Sequence, residues 1–107
     1  MTDTPRPGGP VRGSRTGRPI MAAFDLLGRR WTLRVLWELR DGPVGFRDLQ
    51  QRCGDISPTV LNSRLRELRD ARLVAQDAAR AHELTPLGAE LLEALAPLQA
   101  WSTRWAT

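Results

Sequence analysis

The sequence of 107 residues predicts a mainly helical fold with one small β-hairpin ahead of a long last helix. Three observations predict it. Apolar residues recur at helical spacing from Pro19 onward, Ser-Pro and Thr-Pro pairs stand where helices would begin, and two short runs flank a polar turn. No apolar run approaches the roughly 20 residues that span a bilayer, and the start lacks a signal-peptide core. We therefore expect a cytoplasmic protein without a membrane partner.

The basic charge is distributed unevenly along the chain. Residues 1–18 hold four Arg against one Asp, together with three Pro and four Gly, so we interpret them as a flexible basic arm. The other 12 Arg nearly balance 11 acidic residues, so residues 19–107 form a single domain of almost neutral charge. The net charge of +4 therefore does not by itself indicate nucleic-acid binding.

Three short helices are predicted in the first half of the domain. "IMAAFDLLG" predicts a helix that ends at Gly28, "WTLRVLWELRDGP" a second that ends before Pro43, and "FRDLQQRCG" a third. The predicted apolar faces are Leu33, Leu36, Trp37 and Leu39 in the second helix, and Phe46, Leu49 and Cys53 in the third.

A fourth helix is predicted in "SPTVLNSRLRELRDARLV", residues 57–74. Ser57 suits the position before the helix, where its hydroxyl accepts a backbone N–H, and Pro58 suits the first turn. At about 100° per residue, leucines fall on one face and short polar residues on the other. Short side chains allow a helix to approach another surface closely. The two faces are Leu61, Leu65 and Leu68, and Thr59, Asn62, Ser63 and Arg66.

The remaining elements are a hairpin and a final helix. Residues Leu73–Gln76 and His82–Leu84 predict two short strands around a tip at Ala78–Arg80. Thr85-Pro86 then begins a helix that continues through Trp105. Two helices joined by a turn and followed by a hairpin describe a winged helix-turn-helix.

From Pro19 to about Leu95 the chain resembles the HxlR-type transcriptional regulators, which are relatives of the MarR group. The resemblance depends on Gly28 with "WT" after it, "LRDG" with the following "FRDL", and above all "ISPTVLNSRLRELRDARLV". It implies a homodimer that binds a palindromic operator in double-stranded DNA. The helix of residues 57–71 would then enter the major groove, and the hairpin would lie over the neighbouring minor groove.

Asn reads adenine, Arg reads guanine or phosphate, and Ser and Thr serve either kind of contact. Arg64 lies at the margin of the apolar face, so a phosphate contact and a structural ion pair are both open for it. The predicted DNA-binding residues are Ser57, Thr59, Asn62, Ser63, Arg64, Arg66, Arg47 and Arg80.

The chain departs from the family pattern at two places. Members that sense oxidants carry a cysteine just before the N-terminal Pro, where this chain has Arg18. The single cysteine, Cys53, falls on the apolar side of its helix, so we interpret it as a buried structural residue. The hairpin tip is also shorter than is usual in the family. Arg80 is its one residue able to reach a minor groove, and a solvated side chain is the alternative for it.

The last helix carries an apolar stripe that predicts dimerisation. Its first half, Leu87 to Leu91, is expected to pack on its own domain, and its second half on the first helix of a partner. The predicted interface is Ile20, Phe24, Leu27, Leu95, Leu98, Trp101 and Trp105.

Other chemistry is scarce, so we expect neither an enzyme nor a metal or cofactor. His82 is the single histidine and is interpreted as a partly buried strand residue. Trp31 and Trp37 are assigned to the core, with an aromatic small-molecule effector as the alternative use of the pair. The alternative to a DNA-binding regulator is a winged-helix module that mediates protein–protein contacts without DNA binding.

Overall fold

The computed structural model describes residues 18–107, which form five helices and one hairpin. The predicted basic arm, residues 1–18, lies outside the described residues except for Arg18, and it stays a prediction. In chain order the elements are α1 (Pro19–Leu27), α2 (Thr32–Glu38), α3 (Phe46–Cys53), α4 (Pro58–Asp70), β1 (Val74–Gln76), β2 (His82–Leu84) and α5 (Pro86–Trp105).

The helices begin largely where the sequence predicts. Ser57 accepts a hydrogen bond from the N–H of Val60 at 3.1 Å, and Thr85 accepts one from the N–H of Gly88 at 3.0 Å. Each side chain satisfies a donor that the first helical turn leaves unpaired. α2 begins differently, because Trp31 before it lies in the left-handed region with φ 78°. The chain therefore reverses tightly between α1 and α2.

The core is centred on α2, which contacts α1, α3, α4 and α5. Its fully buried side chains are Val35, Leu36, Leu39, Leu49, Leu61, Leu65 and Leu68, each at most 1% exposed. These side chains, together with Cys53 and Ile56, form one continuous apolar cluster. The leucines of α4 pack into this cluster, so the opposite side of α4 faces solvent.

The predicted apolar face of α2 is wrong, because the face that is actually buried is rotated around the helix axis from the predicted one. Leu33 and Trp37 are 40% and 39% exposed, whereas Thr32 and Val35 are buried beside Leu36. α2 has only seven residues and carries apolar side chains on most sides, so its periodicity does not select one face. Assigning Trp37 to the core is wrong for the same reason. Trp31 is half-buried and packs against the core, as predicted.

The hairpin pairs Val74 with Leu84 and Gln76 with His82 in antiparallel register. β1 begins one residue later than predicted, because Leu73 N–H donates to the carbonyl of Leu68 at 2.9 Å and closes the end of α4. His82 also exchanges two backbone hydrogen bonds of 2.8 Å with Val44 in the loop between α2 and α3. The end of the hairpin next to the turn is thus tied to the loop between α2 and α3 through β2.

α5 crosses the base of the hairpin at Gly88, its one buried residue. A Cβ atom at Gly88 would lie 2.1 Å from the carbonyl oxygen of Leu73, so only glycine permits this approach. Leu91 and Leu92 continue the packing on the core, but Leu87, predicted to pack with them, is exposed. In the part of the chain that the structure describes, α5 and the other helices are too short or too polar to cross a membrane.

Candidate nucleic-acid interface

The polar face of α4 is presented to solvent. Thr59, Asn62 and Arg66 are exposed and Ser63 is half-buried, while the leucines of the opposite face are fully buried. The predicted division of α4 into an apolar and a polar face is therefore confirmed. A contact of these four residues with DNA stays a prediction.

The other predicted contact residues belong to the cap of α4, to α3 and to the hairpin tip. Ser57 is exposed, and its hydroxyl accepts the backbone N–H that caps α4. Arg47 is exposed in the first turn of α3. Arg80 is exposed at the hairpin tip with φ 68°, a left-handed conformation that directs the turn.

Arg64 belongs to a buried ionic cluster. Its Nη1 atom lies 3.0 Å from Oε1 of Glu67, an ion pair by distance without the alignment of a hydrogen bond. Glu67 is 7% exposed, and its other carboxylate oxygen accepts a hydrogen bond from Arg29 in the turn between α1 and α2. Of the two alternatives left open for Arg64, the structure contains the ion pair. Glu67 was missed, although an acid three residues after Arg64 is a helical pairing signal.

A polar groove lies between α4 and the hairpin, and we call it the wing groove. It has a volume of about 490 Å³. Among the described residues that line it, two are arginines and none is acidic. It is lined by Gly45, Phe46, Asn62, Arg69, Gln76, Ala79, Arg80 and His82.

Arg69 was missed by the sequence reasoning. It follows Asn62 by seven residues, or about two helical turns, which places the two side chains in line along α4. That spacing was the available signal. Arg69 therefore extends the polar face of α4 into the wing groove.

His82 is buried at 4% exposure behind the groove, as a strand residue, which confirms its predicted structural place. Its Nε2 atom lies 3.1 Å from Nη1 of Arg69. A guanidinium only donates, so Nε2 must accept and the ring must be neutral. Burial lowers the pKa of His82 below its ordinary 6.5, the positive charge of Arg69 lowers it further, and Asp77 partly opposes both.

Cys53 is buried at the end of α3, in the apolar cluster predicted for it. Burial raises the pKa of its thiol, and although Arg34 opposes this, Glu38 adds to it. A thiol held protonated and away from solvent is a poor nucleophile. The structural interpretation of Cys53 is therefore supported by its surroundings.

Exposed apolar side chains are concentrated on two elements, α1 and the distal half of α5, and we call this set of side chains the terminal face. Trp101 and Trp105 stack with ring centroids 5.7 Å apart. An apolar groove of about 270 Å³ lies between α1 and the first half of α5, and Leu27 is one of the residues that line it. The members of the terminal face are Ile20, Phe24, Leu98, Trp101 and Trp105, between 48% and 74% exposed, with Leu27 and Leu95 half-buried beside them. Exposed apolar side chains at this density are typical of an association surface.

Comparisons with known proteins agree with this architecture. The model of the HxlR-like helix-turn-helix family matches residues 26–107. An HTH-type transcriptional regulator of Methanocaldococcus jannaschii is 30% identical over 90 residues, which cover 79% of this chain and 83% of the relative. The regulator YodB of Bacillus subtilis is also 30% identical over 90 residues, covering 78% and 80%.

Solved structures show the same similarity. The crystal structure of quinone-bound YodB matches with a TM-score of 0.74 and 32% identity, covering 79% of this chain and 96% of that one. A structure from Thermoplasma volcanium that is assigned to the HxlR family matches with a TM-score of 0.72 and 26% identity, covering 82% and 84%. The chain is a winged-helix transcriptional regulator and belongs to the HxlR-like helix-turn-helix family.

Proposed function

We propose that the protein is a cytoplasmic homodimer that binds a palindromic operator in double-stranded DNA. α4 enters the major groove, and the hairpin lies over the adjacent minor groove. The observation that carries this proposal is the exposed polar face of α4, whose short side chains stand on a fully buried apolar face. A rigid helix with short polar groups outward can approach base edges without first reorganising.

The chemistry of the face suggests a division of roles. Asn62 matches the donor and acceptor pattern of adenine in the major groove, and Arg66 matches that of guanine. Thr59, Ser57 and Ser63 suit phosphate oxygens or either base. Arg47 on α3 and Arg80 at the hairpin tip are exposed and suit the phosphate backbone.

The terminal face is the proposed dimer interface. Ile20 and Phe24 on α1, with Trp101 and Trp105 on α5, would be covered by the same residues of a second copy about a two-fold axis. Such a dimer would place its two α4 helices about 34–36 Å apart, which is one turn of DNA.

We further propose that any small-molecule effector binds without a covalent thiol adduct. One structure of YodB is quinone-bound. Here the position before Pro19 is Arg18, and the single cysteine, Cys53, is buried with a raised pKa. Trp31 and Trp37 do not line the groove between α1 and the first half of α5, so an effector there would meet mostly aliphatic side chains, together with Arg72 and Glu90.

The test begins with selection of a DNA duplex from a random pool by the wild-type protein. Asn62→Ala and Arg66→Ala should each weaken binding to the selected duplex by about 1–3 kcal/mol, and weaken binding to unrelated DNA much less. Gln99→Ala and Arg40→Ala remove the same groups from exposed positions outside α4 and serve as controls.

Two results would overturn the proposal. If both α4 variants keep full affinity for the selected duplex, the polar face of α4 does not read bases. If no duplex is enriched and the protein does not bind DNA even at low salt, a winged-helix module that mediates protein–protein contacts explains the fold better.

A further inference from the structure

Arg69 is held at the wing groove by an uncommon partner. Its guanidinium donates to Nε2 of His82 at 3.1 Å, and no carboxylate among the described residues forms an ion pair with it. A guanidinium carries five N–H donors, so the bond to His82 leaves most of them directed elsewhere. The side chain thus keeps its full positive charge and has a defined direction.

The position of Arg69 along α4 matters for what it can meet. It lies about 10 Å beyond Asn62 along the helix axis, because seven residues rise 1.5 Å each. A helix that inserts its first turns into the major groove brings its later turns to the sugar-phosphate backbone at the edge of that groove. Both Asn62 and Arg69 line the wing groove, with Gln76 and Arg80 of the hairpin opposite.

We propose that Arg69 binds a backbone phosphate of DNA at the wing groove, and that neutral His82 positions it for this contact. This inference rests on the proposed function, because it assumes that α4 docks on duplex DNA. Arg69 is the contacting residue, and His82 is a positioning residue that never reaches the phosphate itself. Protonation of His82 would remove the acceptor and set two positive charges against each other, so acid should release Arg69 from its place.

The charged surroundings of His82 are few. Arg69 faces it from α4, Asp77 from the end of β1, and Arg80 from the turn. Glu83 follows it in β2 and, by strand alternation, points to the other face. The segment Val44–Phe46, which packs on its remaining side, carries no charge. The chain has no other histidine, so a histidine titration can arise only from this ring.

The first experiment measures affinity against salt on two probes, the selected duplex and a mixed-sequence duplex of about 30 bp. Arg69→Ala should weaken binding about tenfold on both probes and lower the salt slope by about 2, one phosphate from each protomer. Arg40→Ala removes the same charge from a position outside the wing groove and should leave the slope unchanged. The helical content of each variant is measured by circular dichroism.

The second experiment measures affinity from about pH 8 to about pH 5.5. The wild type should bind progressively more weakly as the pH falls. His82→Gln, whose amide oxygen can accept from Arg69 at any pH, should bind like wild type at the upper end and stay flat. Arg69→Ala should also be flat, because the effect of pH acts through Arg69. A purely structural His82 would leave the pH dependence of Arg69→Ala intact.

The outcomes separate this inference from the proposed function. Unchanged affinity and salt slope in Arg69→Ala would overturn the inference, as would a wild-type pH dependence in that variant. If Arg69→Ala weakens binding to the mixed-sequence duplex but the wild type prefers no selected duplex, Arg69 keeps its role and sequence-specific operator binding fails. If the wild type binds neither duplex, both fail.

Discussion

The core around α2 and the terminal face use the same kinds of side chain in opposite ways. Leu36, Leu61 and Leu65 are fully buried within one chain, whereas Phe24 and Trp105 are 61% and 74% exposed. A single chain therefore completes the part of the molecule that supports α4 but leaves the ends of α1 and α5 uncovered. The difference teaches that the half of the molecule that contains α4 completes its own core, whereas the terminal face is left exposed and is available for the partner proposed above.

The largest effect is expected from removing the buried carboxylate of Glu67, in the half of the molecule that contains α4. Glu67→Ala should lower the free energy of unfolding by about 3 kcal/mol, because it removes the carboxylate that pairs with both Arg29 and Arg64, two guanidiniums that are mostly buried. Urea denaturation measures this. Glu93→Ala, at an exposed position of α5, should change stability by no more than about 0.5 kcal/mol. A small loss in Glu67→Ala would show that solvent already screens the cluster.

The terminal face gives the next largest effect. Replacing both Trp101 and Trp105 by Ala should yield monomers and weaken operator binding about 100-fold or more, because the two half-sites are then bound separately. The helical content should persist, since neither ring belongs to the core cluster. Sedimentation measures the mass. Trp37→Ala is a matched control, an exposed tryptophan outside both α1 and α5. A double variant that remains dimeric would move the interface elsewhere.

A smaller effect on the stability of the fold is expected from protonation of His82 at acid pH. The folded state lowers the pKa of His82, so the unfolded chain binds a proton more readily. Stability should be constant above the ordinary pKa of 6.5 and decline as the pH falls from there toward the folded pKa. His82→Gln should remove this decline in a series of urea titrations. A decline that persists unchanged in His82→Gln would have to come from carboxylates.

The smallest effect concerns the hairpin tip. Arg80→Gly should raise the free energy of unfolding by about 0.5–1 kcal/mol, because glycine adopts the left-handed conformation with φ 68° without strain. Arg66→Gly, in the middle of α4, should instead cost about 1 kcal/mol. Thermal unfolding measures both. A stabilised Arg80→Gly that binds DNA more weakly would separate the charge of Arg80 from its conformation.

The sequence predicts best where one element carries its own signals. α4 has a capping Ser57, a Pro at its start and thirteen residues of clear amphipathic pattern, so its two faces were correctly predicted. α2 has seven residues with apolar groups all around, so its buried face depends on the neighbours that surround it. Trp37 was misassigned for that reason.

Contacts between distant residues were not predictable from periodicity. Arg29 and Glu67 are 38 positions apart, and they meet because α1 and α4 both pack against α2. Arg69 and His82 meet because the hairpin folds back on the end of α4. The sequence gives the charge of a side chain, but only the fold shows which residue pairs with it.

The close crossing at Gly88 makes α5 a spacer of defined length. From Gly88 to Trp105 the helix rises about 26 Å and includes Pro97, and the number of residues along it sets the separation and angular phase of its two ends. In the proposed dimer, that separation determines how far apart the two copies of α4 lie. Insertion of one residue between Leu92 and Leu98 would turn the tryptophans by about 100° around the axis. In that dimer, the number of residues in this helix would set the distance between the operator half-sites.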